Sequence, residues 1–251
     1  MDLFEKCYSF SMGTSSRGQE YKEVREAGLY PYFIPIQSST DTEVIINGEK
    51  KVMVGSNNYL GLTHHPKILE AAEAAARKYG SGCTGSRFLN GTLDIHIALE
   101  EALAAFVHKE AALVFSTGFQ VNLGVIDALI GRKEIAFIDA MNHACVVDGC
   151  RLALGETVRF RHNDLDDLSR KLDEADAKKG KLIIVEGIYS MEGDIAKLPG
   201  CVRIAQEHQC RLMIDDAHAI GVLGPTGAGT AEHFGVTEGV DLIMGTFSKS
   251  F

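Results

Sequence analysis

Arg211-Leu212-Met213-Ile214-Asp215-Asp216-Ala217-His218 runs from a short apolar segment straight into two carboxylates and an imidazole. The apolar part has the length of a strand and carries no polar residue inside it, as a strand covered on both faces does. Similar runs lie on either side of it, at 111–115, 134–139, 157–160, 181–185 and 240–244. Helical patterns separate most of them; Leu165, Leu168, Leu172 and Ala175, for example, share one helix face. Strands that alternate with helices predict an α/β fold with a mainly parallel sheet. Ligands of such sheets bind beyond the carboxyl ends of the strands, so the polar residues that follow each run are the candidates for function.

Upstream of the alternating region the chain reads differently. Residues 1–24 are polar with scattered aromatics, which suits a helical arm. The segment 30–36 holds Pro31 and Pro35 and is expected to be extended, because each proline restricts the residue before it. Residues 43–54 read as a hairpin turning at Asn47-Gly48, a pair that supplies the positive φ angles of a type I′ turn. This predicts an N-terminal arm and hairpin over 1–55 and a large domain over 56–251. Within the latter, Pro66 suits the first turn of a helix that puts Ile68, Ala72, Ala75 and Tyr79 on one face and stops at Gly80. A second amphipathic helix points Ile95, Leu99, Ala102, Leu103 and Phe106 inward.

The bulk composition narrows the function classes. The 251 residues carry a formal charge of −9 and show no basic cluster, which points away from nucleic acid. No apolar run approaches the ~20 residues of a membrane-spanning helix. The first residues lack the basic start and apolar core of a signal peptide, so the expected location is cytoplasmic. The six cysteines form no C-x-x-C pair and sit mostly among apolar residues, as reduced core cysteines do.

The strand ends each have a functional and a bland reading. Ser116-Thr117-Gly118-Phe119-Gln120 opens a helix with a small turn, whose free N–H groups could hold a phosphate or simply form an N-cap. His143 follows the 134–139 run, as a ligand-facing imidazole or as a capping residue. The 181–185 run leads into the glycine-bearing polar loop Glu186-Gly187-Ile188-Tyr189-Ser190. Asp215 and His218 could ligate a metal, but no further ligands stand at motif spacing nearby. Gly80-Ser81-Gly82-Cys83-Thr84-Gly85 matches a dinucleotide fingerprint in letters alone, since it follows a helix instead of a strand. The last run ends in Gly245-Thr246-Phe247-Ser248-Lys249-Ser250-Phe251, a lysine crowded by hydroxyls. Lysine, carboxylate and imidazole at neighbouring strand ends favour a Schiff-base site for a carbonyl cofactor.

Several stretches, taken together and in order, resemble one family. They are Asn57-Asn58-Tyr59-Leu60-Gly61-Leu62, Gly85-Ser86-Arg87-Phe88-Leu89-Asn90-Gly91-Thr92, His96-x-x-Leu99-Glu100, Ser116-Thr117-Gly118-Phe119, Asp215-Asp216-Ala217-His218 and Gly245-Thr246-Phe247-Ser248-Lys249. The chain is similar to the α-oxoamine synthases, pyridoxal-phosphate enzymes of the aspartate-aminotransferase fold, and within them to the bacterial serine palmitoyltransferases. The resemblance implies a PLP-dependent transferase fold, a three-layer α/β/α arrangement around a mainly parallel sheet. It implies that Lys249 holds pyridoxal 5'-phosphate and serves as the base, that Asp215 pairs with the pyridine nitrogen, and that His143 stacks on the ring. It places His218 and Ser190 at the phenolic oxygen, and the turn at Ser116, Gly118 and Phe119, with Thr246 and Ser248, around the phosphate. Asn57 and Arg87 fall near the substrate mouth or a dimer interface. The implied reaction is a decarboxylative condensation of L-serine with a long-chain acyl-CoA, giving a 3-keto sphingoid base, in a homodimer. The implied alternatives are another α-oxoamine synthase, one that uses glycine or makes 8-amino-7-oxononanoate, or an inactive cofactor-binding fragment. Family members continue well past the lysine, so the chain reads as lacking a C-terminal part and is expected to be poorly active alone.

Overall fold

The computed structural model describes residues 2–11, 13, 15–39 and 41–251. The chain divides into two compact units, Met1–Gly55 and Ser56–Phe251. In the first, α1 (Glu5–Ser11) and α2 (Ser16–Glu26) form the arm; residues 1, 12 and 14 of the expected 1–24 arm lie outside the described residues. Ser15 caps α2 by accepting from the Gly18 amide at 3.1 Å. The segment 30–36 departs from the extended expectation at Phe33, whose φ is 56°. The two prolines fix their own φ and restrict Tyr30 and Ile34, which leaves Tyr32 and Phe33 free to turn. Strands β1 (Glu43–Ile46) and β2 (Glu49–Val52) pair antiparallel around Asn47 and Gly48, with φ of 53° and 77° as a type I′ turn requires.

The second unit begins with α3 (Pro66–Tyr79) and α4 (Asp94–Phe106). It continues through α5 (Gly118–Leu129), β3 (Glu134–Asp139), α6 (Ala144–Leu152), β4 (Glu156–Phe160), α7 (Leu165–Asp173) and β5 (Gly180–Glu186). It closes with α8 (Leu198–Glu207), β6 (Arg211–Asp215), α9 (Thr230–His233), a 3-10 turn at Thr237–Gly239, and β7 (Leu242–Met244). Strands β3 to β7 form one sheet in the order β4-β3-β5-β6-β7, every pair parallel.

Alternation along each strand sends side chains to two separate cores. Phe137, Ile183, Leu212 and Ile214 face α7 and α8, meeting Leu168, Leu172, Leu198 and Ile204. Ala136, Ile138, Leu182, Ile184 and Met213 face α5 and α6, meeting Ile126, Ile130, Val146 and Cys150. The result is the expected three-layer α/β/α arrangement. Between α5 and α6 the backbones come close at Gly149, where an added Cβ would stand 3.1 Å from the Asn122 carbonyl oxygen and from Ile126 Cδ1.

Three local expectations fail. Residues 111–115 are not a strand: Val114 donates its amide to Glu100 Oε1 at 2.9 Å instead of to a ladder. The segment and β7 both line one apolar cavity of about 900 Å³, and without a strand paired to it an apolar run has no ladder to join. Helix α3 buries none of its residues, although Ile68, Ala72, Ala75 and Tyr79 share the predicted face. On α4, Leu99, Leu103 and Phe106 are half-buried, but Ile95 and Ala102 are exposed. Amphipathic spacing marks a face without guaranteeing its cover.

The sheet order positions the site. The chain steps from β3 outward to β4, then returns past β3 to place β5 on its other side. The winding direction therefore reverses between β3 and β5, the place where sheets of this kind bind their ligands.

Candidate active site

Asp215 ends β6 and is buried. Its Oδ1 accepts from the Ala217 amide at 3.1 Å and its Oδ2 from Asn122 Nδ2 at 2.7 Å. An ionised carboxylate offers about four acceptor sites, so two remain for a ligand. Asn122 projects from α5, and its Nδ2 also lies 3.0 Å from Cys145 Sγ on α6. Sequence reasoning missed it, because a lone asparagine in a helix gives no sign that it faces a buried carboxylate.

His143 is the N-cap of α6, its Nδ1 accepting from the Cys145 amide at 3.2 Å. The capping reading holds, and it does not exclude the functional one: the cap uses Nδ1, and the residue is exposed. Its backbone amide donates to Glu186 Oε1 through a short hydrogen bond. Phe119, from the start of α5, meets the His143 ring edge-on with centroids 6.3 Å apart. Glu186 ends β5 and went unrecognised as a site residue, since it stands at the head of a polar loop. Burial, followed by the charge of Asp215, pushes its carboxyl up to about 7, against the pull of the His143 amide and Lys249.

Lys249 follows β7, and the buried Ser250 secures its turn by donating to the Ile220 carbonyl. Lys249 Nζ lies 3.0 Å from His218 Nε2, and His218 Nδ1 lies 2.7 Å from the Tyr59 hydroxyl. Tyr59 in turn donates to Asn57 Oδ1 at 3.0 Å. That donation leaves the Tyr59 oxygen to accept from Nδ1–H, so Nε2 is free to accept from the lysine. Burial lowers the Lys249 ammonium below its ordinary value, although Asp215 and Glu186 oppose the shift. Burial and then the charge of Lys249 lower His218 as well. Both shifts favour the neutral amine and imidazole that nucleophilic chemistry needs.

The start of α5 completes the cluster. Thr117 caps the helix, its Oγ1 accepting from Gln120 N at 3.2 Å and its carbonyl from Val121 N. The Gly118 and Phe119 amides are left without an intrahelical partner. Thr246 closes on the same spot: a Cβ on Gly118 would stand 3.1 Å from Thr246 Oγ1. Thr246 Oγ1 and Ser248 Oγ are 2.9 Å apart. Two free amides, two hydroxyls and a helix N-terminus make a donor set suited to a phosphate. Ser116 is exposed beside this turn.

Two expected residues stand apart from the hydrogen-bonded cluster. Ser190 is exposed on the loop after β5. Arg87 is engaged by Glu100, Nη2 to Oε1 at 2.9 Å, and by Thr92, Nε to Oγ1 at 3.1 Å. Asn57 enters the cluster through Tyr59 alone.

The residues present fit pyridoxal phosphate: an amine of lowered basicity, a pinned carboxylate, an imidazole face and an anion cradle shaped around Gly118. The chain's relatives agree. The Aminotransferase class I and II family profile matches residues 49–251. A serine palmitoyltransferase of Sphingobacterium spiritivorum is 57% identical over 229 residues, which are 91% of this chain and 57% of that protein. An 8-amino-7-oxononanoate synthase of Geobacter sulfurreducens is 44% identical over 237 residues, 94% of this chain and 61% of that protein. Among solved structures, a serine palmitoyltransferase variant from S. paucimobilis with a bound PLP–myriocin aldimine superposes with a TM-score of 0.93 at 38% identity. That match covers 100% of this chain and 62% of the other. The chain thus spans about three-fifths of the length of the relatives it matches. With the profile over most of its length and relatives this similar, the chain belongs to the aminotransferase class I and II family.

Proposed function

We propose that this chain works in a pyridoxal-phosphate-dependent C-acyltransferase that condenses L-serine with a long-chain acyl-CoA, releasing carbon dioxide and a 3-keto sphingoid base. The observation that carries this reading is the gathering of Lys249, His218, the Asn122–Asp215 pair and the Gly118–Thr246–Ser248 cradle at one end of the sheet. The greater identity to a serine palmitoyltransferase, 57% against 44% for the 8-amino-7-oxononanoate synthase, supports serine chemistry over that of the other synthases. A homodimer in the cytoplasm is the assembly we infer, supported by exposed Phe88 and Leu89. Among the described residues no helix is long and apolar enough to cross a membrane.

Pyridoxal phosphate held at this site would supply an electron sink for the negative charge that develops at the amino acid's Cα. Asp215, fixed by Asn122 and the Ala217 amide, would accept a hydrogen bond from the ring N–H and hold that proton in place. The Gly118 and Phe119 amides, with Thr246 and Ser248, would bind the phosphate and orient the ring. The Lys249 amine, lowered in basicity and free of the cofactor once the amino acid is bound, would take the Cα proton. His143, its backbone tied to Glu186, would cover one ring face; His218 holds a hydrogen bond at the lysine nitrogen.

The test is spectroscopic. Wild type titrated with pyridoxal phosphate should develop a visible absorbance band that Lys249→Ala lacks, and L-serine should perturb that band. A response to glycine and none to L-serine would favour the glycine-using alternative. No band in the wild type would sink the cofactor assignment.

A further inference from the structure

His162 sits two residues past β4, outside the cluster described above, yet it spans two segments that reach the cluster. Its Nδ1 lies 2.9 Å from Asp139 Oδ1, and its Nε2 lies 3.1 Å from Asp194 Oδ2. Asp139 ends β3 and also accepts from the Met141 amide, at 2.8 Å, in the turn that leads to His143. Asp194 belongs to the loop after β5 that carries Ser190. The side chain of the wholly buried Tyr189, next to Ser190, meets the His162 ring edge-on with centroids 4.5 Å apart.

The neighbouring Asn163 doubles the connection. With φ of 52° it donates its amide to Asp139 Oδ2 at 2.8 Å and its Nδ2 to Asp194 Oδ2 at 2.9 Å. Its Oδ1 accepts from the Lys197 amide at 3.0 Å. Carboxylate oxygens accept, so an imidazole with each nitrogen beside one donates to both when it carries both protons. We propose that His162, held as an imidazolium between Asp139 and Asp194, is a positioning residue that ties the turn carrying His143 to the loop carrying Ser190. These segments follow β3 and β5, the strands between which the winding reverses, so the clamp sets the spacing of the two strand ends. Its link to cofactor binding rests on the function proposed above; its link to loop order does not.

The electrostatics agree with the geometry. Burial draws the imidazole down, but the hydrogen bonds and charges of Asp139 and then Asp194 outweigh it and leave His162 above its ordinary value. The groups facing it are Asp139 from β3 and Asp194 and Tyr189 from the loop; the Tyr189 phenol is pushed upward by burial and stays neutral. A raised histidine contributes order that is complete below its ordinary value and is lost as pH rises through the elevated one.

The experiment compares wild type, His162→Gln and Asp194→Asn by amide exchange of residues 187–197 and by pyridoxal phosphate titration. Replacing charge-assisted bonds by neutral ones should cut protection of the Tyr189, Gly193 and Ala196 amides about tenfold in His162→Gln at pH 6. Wild-type protection should fall as the imidazole titrates, a step that His162→Gln lacks. The dissociation constant of the cofactor should rise about tenfold in His162→Gln, with Lys249 still modified at saturation. NMR should place the wild-type His162 titration above that of an ordinary histidine and lower it in Asp194→Asn, which serves as the deciding variant if His162→Gln fails to fold. Unchanged protection in His162→Gln, unchanged cofactor affinity, or a wild-type ring that titrates below the ordinary value would each overturn the inference. A wild type that binds no cofactor would instead refute the proposed function, and the exchange and NMR results would still decide the role of His162.

Discussion

Glu186 brings a second carboxylate into a buried site that already holds Asp215, and its behaviour with pH is the clearest residue-scale consequence. In the unfolded chain it loses its proton near the ordinary 4.5; in the folded chain it does so at about 7. Between those values the folded state binds more protons, so its stability from this group falls as pH rises and stays reduced above 7. Asp216, fully buried and also pushed up to about 7 by burial, acts in the same direction. Glu186→Gln keeps an oxygen for the His143 amide and removes the charge. It should raise the melting temperature of the cofactor-free chain at pH 8 by an amount equivalent to a few kcal/mol, and change it little at pH 5. Equal shifts at both pH values would contradict the buried-charge account. Asn122→Leu makes the opposite kind of change, leaving Asp215 Oδ2 without its buried donor. Thermal unfolding should show a loss of about 1–3 kcal/mol, and cofactor affinity should fall with it. Neither residue was legible beforehand. Glu186 and Asn122 carry ordinary polar side chains whose role comes from what faces them, whereas Lys249, Asp215, His218 and His143 stood out as chemistry at strand ends.

At the scale of elements, the site depends on how closely α5 and α6 lie together. Gly149 permits that approach, since even one added carbon would meet the Asn122 carbonyl and Ile126 at 3.1 Å. Gly149→Val should force the helices apart, destabilise the chain by about 1–3 kcal/mol and loosen the Asn122–Asp215 bond. The checks are chemical denaturation and cofactor titration, and unchanged affinity would uncouple the helix pair from the site. Most elements were legible from pattern alone. The runs at 134–139, 157–160, 181–185 and 211–215 became β3 to β6, and Asn47-Gly48 made its turn. The run at 111–115 did not, because a strand is completed by the hydrogen bonds of a neighbour, and Val114 found Glu100 instead.

At the scale of the whole molecule, the second unit displays more apolar surface than its own elements cover. Phe88 and Leu89 are 93% and 79% exposed in the stretch after α3, and α3 buries no residue. Large apolar side chains displayed together mark an interaction surface. The chain should therefore self-associate at micromolar concentration, with Phe88→Lys combined with Leu89→Lys shifting it toward monomer in sedimentation analysis. A wild type that stays monomeric throughout would refute the homodimer we infer from this face. Amphipathic periodicity marked the faces of α3 and α4, but only the folded arrangement shows how little covers them.

The amino-acid sequence alone determined the α/β class, the parallel sheet and the placement of a lysine, an aspartate and two histidines at strand ends. Those follow from local periodicity and from the rule that polar residues after buried strands collect at one edge of the sheet. Only the tertiary structure decided which of them touch: Lys249 on His218, Asp215 on Asn122, Gly118 against Thr246, and His162 between two carboxylates. Pairings between residues tens of positions apart depend on strand order and helix approach, and no local pattern encodes the distance between two side chains that the fold brings together.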